Sequence, residues 1–517
     1  MGAGVAMTFI TNIFFHCIMN GLLLGDVSIY FLSSMRTTLQ WMKCPEIVEN
    51  VTCWDGTGCE KNCIGEFNKT SAYHFFVKIY MENTELNPIV TKIIEAPSLS
   101  RTALITTSWV MTCVLITAVS ATYQKFFVKV WNITFCLLIF NMLASLISVP
   151  KDILANNLFK YGAHGFWYPT TWAMAFTRTI YHIGLGRPFH IMYGSYMAPT
   201  SSSGIRSSCA VFCSFIALLL ASSFTRCSLL SLQHLANLDA DHEKYVWNPG
   251  IATYFINLPF RFGLTTVPHF WLLQYFFMFM CILINNQLSH IFAFEKVVTE
   301  YYPVLIKYRR YILGGIAVIS GLISVCVSSR ETYLVYKSVT VCVSENIEIF
   351  NALLLSVLVC YIYGVQKLCD DVDFMRGAQP SQYWKFCWYV LPVMLGISFS
   401  YRKSVKLHSD VYENIEKWIF IILILPIPTV AVIEILKYIR RRNILGLLQS
   451  SEHYGPPDPT ERYLRRMYNP RKETRSSRKR EICLHSCLLN NKIIKKIEAE
   501  ELYFKQASSS EAVSSQI

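Results

Sequence analysis

Charge is what this 517-residue chain has little of: Asp, Glu, Lys and Arg make up 16% of it, against about 25% in a soluble globular protein. The shortfall argues against a water-soluble enzyme. Short catalytic signatures are missing too. There is no G-x-S-x-G turn for a nucleophilic serine, no H-E-x-x-H metal pair, no Walker loop and no glycine-rich dinucleotide turn. Asp239, Asp241 and His242 come nearest to a hydrolase grouping, and they read as a solvated polar loop. No enzymatic activity is expected. Nor is a metal site, since His182 and His190 are eight residues apart with no carboxylate near them.

What the chain has instead is apolar length. Hydrophobic residues make up 53% of it and mean hydropathy is +0.34. They fall into ten blocks, each near the roughly 20 residues that cross a bilayer. The blocks are Phe9 to Phe31, Ala103 to Tyr123, Phe126 to Val149, Trp172 to Tyr196, Cys209 to Leu229, Phe270 to Phe294, Tyr311 to Val327, Ile347 to Val365, Trp384 to Ser400 and Trp418 to Ile435. A backbone in lipid must satisfy its own hydrogen bonds, and no block shows the two-residue alternation of a barrel strand, so each is expected as a helix. The fold class that follows is an all-α polytopic membrane protein of about ten transmembrane helices.

Lys and Arg in short loops orient such a protein. Lys125 with Lys129, then Lys296, Lys307, Arg309 and Arg310, then the end of the last span share one side if the spans alternate, and that side is expected to be cytoplasmic. The opposite side carries the loop 35–102, with sequons at Asn50 and Asn68 and four cysteines, Cys44, Cys53, Cys59 and Cys63. N-glycans and disulfides belong to the same oxidising face of a membrane. Disulfides are favoured over zinc because His74 is the only imidazole in the loop, and four cysteines leave three pairings open. Residues 230–268 form a second large extracellular loop, and the sequon at Asn132 lies within a span and is read as silent.

Residues 1–436 thus form a transmembrane domain and residues 437–517 a basic tail, in which 17 basic and 9 acidic residues supply 8 of the chain's net 13 positive charges. The tail opens on Arg440-Arg441-Arg442, breaks at Gly455-Pro456-Pro457 and carries a basic run from Arg475 to Arg480. It is expected to be cytoplasmic, largely disordered and drawn to anionic lipid, at about 1 kcal/mol per charge near the surface. Lipid rather than nucleic acid is its expected partner.

Polar groups inside a span are costly unless they face protein or a wet path. The fourth block contains Thr177-Arg178-Thr179-Ile180-Tyr181-His182-Ile183-Gly184-Leu185-Gly186-Arg187-Pro188. Two glycines and a proline within five residues interrupt the helix at mid-membrane depth. A simple proline kink is the plainer reading, but Arg178 and Arg187 need a wet or paired setting, and broken helices line the solute site of secondary transporters. His16, Asn20 and Asp26 in the first block, and Asn285, Asn286, Gln287, Ser289 and His290 in the sixth, either line a pathway or join helices by hydrogen bonds.

Further along, Tyr361-Ile362-Tyr363-Gly364-Val365, Asp371-Val372-Asp373-Phe374-Met375 and Trp384-Lys385-Phe386-Cys387-Trp388 resemble the tenth-helix exit and eleventh-helix start of the neurotransmitter:sodium symporters, the solute carrier 6 family. Ile183-Gly184-Leu185-Gly186 with Gly194-Ser195-Tyr196 resembles the family's unwound sixth helix, Gly250-Ile251-Ala252 its fourth external loop, and Phe270-Trp271 the start of its eighth helix. Trp41, Cys44 and Cys59-Glu60-Lys61 resemble its disulfide-closed second external loop. The likeness runs from about Gly4 to Pro459, in the manner of the orphan and neutral-amino-acid branch, and it begins at the family's third helix, with no counterpart to the first two.

That resemblance implies a LeuT-like inverted-repeat bundle and sodium-coupled symport of amino-acid or neurotransmitter solutes. Na+ and Cl− are the implied coupling ions, with no cofactor, and a plasma or vesicle membrane is the implied location. Other copies of family members are implied as oligomer partners. It implies a Cys44–Cys59 disulfide, glycans on Asn50 and Asn68, a solute pathway through Asn20, His182, Gly184, Gly186 and Ser289, and ion binding at Ser214 and Ser289. Several positions depart from the family's pattern. Asn20 and Asp26 stand for a tyrosine and a tryptophan, Arg178 for the chloride-site glutamine, His182 for a serine, Ser214 for an asparagine and Leu288 for an acid. These changes remove oxygen ligands or add bulk, and a hard cation needs several oxygens. The alternative expectation is therefore a non-transporting member that acts through interaction, trafficking or interference with full-length relatives.

Overall fold

The computed structural model describes residues 2–44, 55, 70–81, 99–149, 151, 167–197, 203–235, 253–328, 346–376, 379–404, 417, 418, 420–440 and 459–468. Their regular structure is helical. In chain order the helices are α1 (Gly2–Ser34), α2 (Ser71–Met81), α3 (Leu99–Val119), α4 (Tyr123–Ile147), α5 (Pro169–Ile183), α6 (Phe189–Ser195), α7 (Ser203–Leu235), α8 (Leu258–Gly263), α9 (Pro268–Tyr301), α10 (Arg309–Cys326), α11 (Glu348–Val357), α12 (Val365–Arg376), α13 (Gln382–Ser404), α14 (Pro426–Arg440) and α15 (Pro459–Met467).

Among the described residues, eight helical stretches are long and apolar enough to cross a membrane. The other two expected blocks are also helical. The fourth is divided into α5 and α6, of 15 and 7 residues, and the ninth is α13, whose 23 residues include Lys385, Arg402 and Lys403. The eighth runs past its expected end at Val365, through a wide turn at Leu358–Gly364 and on into α12.

α1 organises the bundle. Its apolar residues are spread around the helix rather than gathered on one face, as in a helix surrounded by protein, and it packs against α3, α9, α10, α11 and α14. Gly21 and Gly25, four residues apart, lie against Trp109 and Ile105 of α3 so closely that any Cβ would collide, which lets the two backbones approach. Ile13, Leu22, Ile105, Trp109, Leu288 and Phe292 fill the seam between α1, α3 and α9. An aromatic core of Tyr30, Trp41, Phe255 and Phe276 closes the other end.

Asp26 of α1 is a joint rather than a pathway residue. It takes a two-pronged ion pair from Arg101 of α3, at 2.8 and 3.1 Å, with both side chains buried. Arg101 also donates to the Ser328 carbonyl. On α8, between the fifth and sixth spans, the buried Arg261 donates to Ser148 and lies over the Phe262 ring. Desolvation lowers its guanidinium to about 10, so it remains a cation at neutral pH.

Cys44 is disulfide-bonded. Cys53, Cys59, Cys63, Asn50, Asn68, Asp239, Asp241 and His242 lie outside the described residues, as do the basic runs of the tail. One piece of the tail, α15, is folded onto α12. Arg465 pairs with Asp371 at 2.6 Å, the Tyr468 hydroxyl donates to Asp373 at 2.7 Å, and Leu464 is buried beside them.

Truncating Asp26 to Ala leaves a buried guanidinium without its carboxylate, a change expected to cost about 3 to 5 kcal/mol. Chemical unfolding of the lipid-reconstituted chain checks this. Asp26→Leu combined with Arg101→Met is expected to recover most of the loss.

Candidate solute site

The interruption in the fourth block is built by its glycines and proline. α5 ends at Gly184, whose φ of 73° lies in the left-handed region that glycine adopts without strain. The amides of Gly184 and Leu185 return to the Ile180 carbonyl, and Arg187 N donates to the Gly184 carbonyl. Pro188 then starts α6. Gly186 lies against the backbone carbonyl of Glu348, and a Cβ at that position would run into it. The break is therefore seated on the first turn of α11.

That contact carries a buried charge cluster. Arg187 Nε donates to Glu348 Oε1 at 2.7 Å, and His16 Nε2 of α1 donates to the same oxygen at 3.0 Å. The Glu348 side chain is fully buried, while those of His16 and Arg187 are 14% and 12% exposed. His16 stacks on His290 of α9 with ring centroids 4.9 Å apart, His290 Nδ1 donates to the Asn286 carbonyl, and Arg187 lies over the Tyr181 ring.

One helical turn away on each neighbour are further polar groups. Asn20 Oδ1 accepts from Asn286 Nδ2 at 3.3 Å. Asn12 and Asn20 flank His16 on α1, Gln287 precedes His290 on α9, and Asn351 follows Glu348 on α11. Among the described residues, both polar atoms of Asn12, Gln287 and Asn351, together with Glu348 Oε2, Asn20 Nδ2 and His290 Nε2, are buried without a hydrogen-bond partner. Unsatisfied polar atoms are rare in packed interiors, and ionisable groups inside a membrane mark solute and ion pathways.

A second polar group is made of hydroxyls. Ser289, Tyr123 and Tyr193 form a triangle with edges of 2.8, 2.9 and 3.1 Å, and Ser289 also donates to the Asn285 carbonyl. Four oxygens are thereby gathered between α4, α6 and α9.

Of the residues expected at the site, Asn20, Gly184, Gly186 and Ser289 surround this region. His182 lies on an exposed face of α5, as does Arg178. Ser214 is on α7, with its hydroxyl donated to the Ala210 carbonyl. Glu348, Tyr123 and Tyr193 were not anticipated. The available signal was Glu348 itself, the one carboxylate in the eighth apolar block. No cluster of three or more His, Cys, Asp or Glu side chains able to hold a metal is present among the described residues.

Membrane-length helices around a glycine-broken helix with polar groups at its centre are the architecture found in secondary-transporter folds. The chain matches the sodium:neurotransmitter symporter family over residues 1–442, and it belongs to that family. It is 26% identical over 326 residues to a human sodium- and chloride-dependent neutral and basic amino acid transporter B(0+), covering 58% of this chain and 49% of the relative. It is 26% identical over 176 residues to a Xenopus laevis sodium- and chloride-dependent glycine transporter 2, covering 32% and 22% of the two chains. A Caenorhabditis elegans sodium-dependent dopamine transporter is 22% identical over 250 residues, covering 48% and 40%. The chain spans about half the length of the first of these relatives. Family membership carries the all-α polytopic transporter fold with it, and members of the family are transporters rather than enzymes.

Substituting Gly186 with Ala forces a methyl group into the Glu348 carbonyl and pushes the break away from α11. The variant is expected to lose about 2 kcal/mol or more of stability, in the range of overpacked cores, whereas Gly194→Ala, with open space around it, is expected to stay near wild type. Thermal unfolding of the two purified variants makes the comparison.

Proposed function

We propose that this chain is a sodium-coupled symporter-like transporter for small amino-acid-like or neurotransmitter-like solutes. The observation that carries the reading is the seat of the broken helix: it faces α1, α9 and α11 across buried polar atoms that have no partner among the described residues. The relatives, named as sodium-dependent transporters of amino acids, glycine and dopamine, support the same class of solute. Solute would pass beside Asn20 and the Gly184–Gly186 break, and alternating access would rock α5 and α6 against α1 and α9.

Sodium, as co-transported substrate, fits the hydroxyl group best. Ser289, Tyr123, Tyr193 and the Asn285 carbonyl offer neutral oxygens, the ligand type a hard cation takes. Ser214 would have no share in that site. Chloride would serve as a further coupling ion only by likeness to the relatives. The two expected glycans and the Cys44–Cys59 disulfide would place loop 35–102 outside the cell, and the tail inside.

The test is uptake of a neutral amino-acid panel by cells expressing the chain, with surface biotinylation as control. Uptake is expected, and is expected to vanish when sodium is replaced. Ser289→Ala removes one hydroxyl worth about 1 to 1.5 kcal/mol, so sodium dependence is expected to weaken by up to about tenfold. Abundant surface protein with no uptake would favour the non-transporting reading, in which the fold serves interaction or trafficking.

A further inference from the structure

We propose that the His16–Glu348 pair is a proton-binding site, so that a proton is a ligand of this chain in its own right. Assigning that proton as a coupled ion rests on the transport reading, whereas its binding does not.

Hydrogen-bond chemistry fixes how the pair is set. An ionised carboxylate only accepts, so the 3.0 Å contact requires His16 to carry its proton on Nε2, which leaves Nδ1 as the basic nitrogen. His16 is the more exposed member and Glu348 the fully buried one, so an incoming proton would reach His16 first. A hydronium ion gives its proton to His16 Nδ1 and leaves as water. The Nε2 proton shifts toward Glu348 Oε1, and the pair gains one hydrogen and one positive charge. Before the step, Arg187 and Glu348 cancel. After it, the cluster carries the single charge a sodium ion would bring.

A metal cation does not suit this spot. Among the described residues Glu348 supplies its only carboxylate, and the Arg187 guanidinium already pairs with that group at 2.7 Å. A proton needs one lone pair where sodium needs several oxygens. The other groups facing the pair are His290 on α9, held through Nδ1 by the Asn286 carbonyl, Tyr181 against Arg187, and His190, which is hydrogen-bonded to the Ile183 carbonyl. Leu395 of α13 and Leu423, ahead of α14, are apolar and pack against Ile349 and Ile347, the residues on either side of Glu348. None of these is a second carboxylate, and His290 and His190 are the other imidazole bases near the pair.

Infrared difference spectra of the full chain in liposomes, recorded between about pH 4 and 8 to span the carboxyl and imidazole ranges, test the assignment. The expected result is a carboxyl and imidazole signal that titrates in this window, disappears in Glu348→Gln and shifts its midpoint by about one pH unit or more in His16→Gln. Sodium at constant pH should leave it unchanged. If Glu348→Gln does not fold, Glu348→Asp is expected to keep the signal at a shifted frequency. A spectrum with no signal altered by these substitutions, or one that sodium displaces at fixed pH, overturns the proposal. Proton binding without solute uptake would remove the transport reading and leave this one standing. Sodium-driven uptake with no titrating signal would do the reverse.

Discussion

The ion pair between Arg187 and Glu348 is the constraint to which the centre of this bundle conforms. A guanidinium and a carboxylate in a membrane interior are each costly alone, and they are tolerable only where geometry joins them. Joining them takes a helix that stops at Gly184, a turn that carries Arg187 inward, and a Gly186 with no side chain to hold the turn away from α11. His16 adds a second hydrogen bond to the same carboxylate oxygen from α1, so one acid ties together three segments of the chain.

α1 receives the rest of the load. The Asp26–Arg101 pair, the glycine contacts with α3 and the His16 stack on His290 all fall along its length. Apolar packing alone gives little directional preference between helices in lipid, where tails are as apolar as leucine. The buried ion pairs and close glycine contacts supply that preference, fixing both the register and the rotation of α1. The centre is consequently more polar than its boundary, and that polarity is concentrated where the broken helix turns.

How much of this was legible in the sequence depended on distance along the chain. The spans were legible because hydrocarbon thickness fixes their length, and the break in the fourth because Gly184, Gly186 and Pro188 act within a few residues of one another. The pairings were not. Arg187 and Glu348 are 161 residues apart, and Arg101 and Asp26 are 75 apart. A lone Glu348 at the head of an apolar block carries no mark of its partner. α15 escaped notice for a different reason: it is short and polar, and its place on α12 depends on Asp371 and Asp373, about 95 residues upstream. The resemblance to the symporter family pointed to Ser289, but not to the two tyrosines that surround it.

Membership of the sodium:neurotransmitter symporter family and a centre rich in charge are reconciled if the cluster is a working part of the site and the hydroxyl group is a separate one. On that account the Arg187–Glu348 contact is a true energetic coupling rather than two charges that happen to lie close. A double-mutant cycle with Arg187→Met and Glu348→Gln, read by unfolding of the full chain in lipid, addresses this directly. The account predicts that each single change is severe, that the double change is milder than their sum, and that the coupling is about 2 kcal/mol. Additive effects would contradict it.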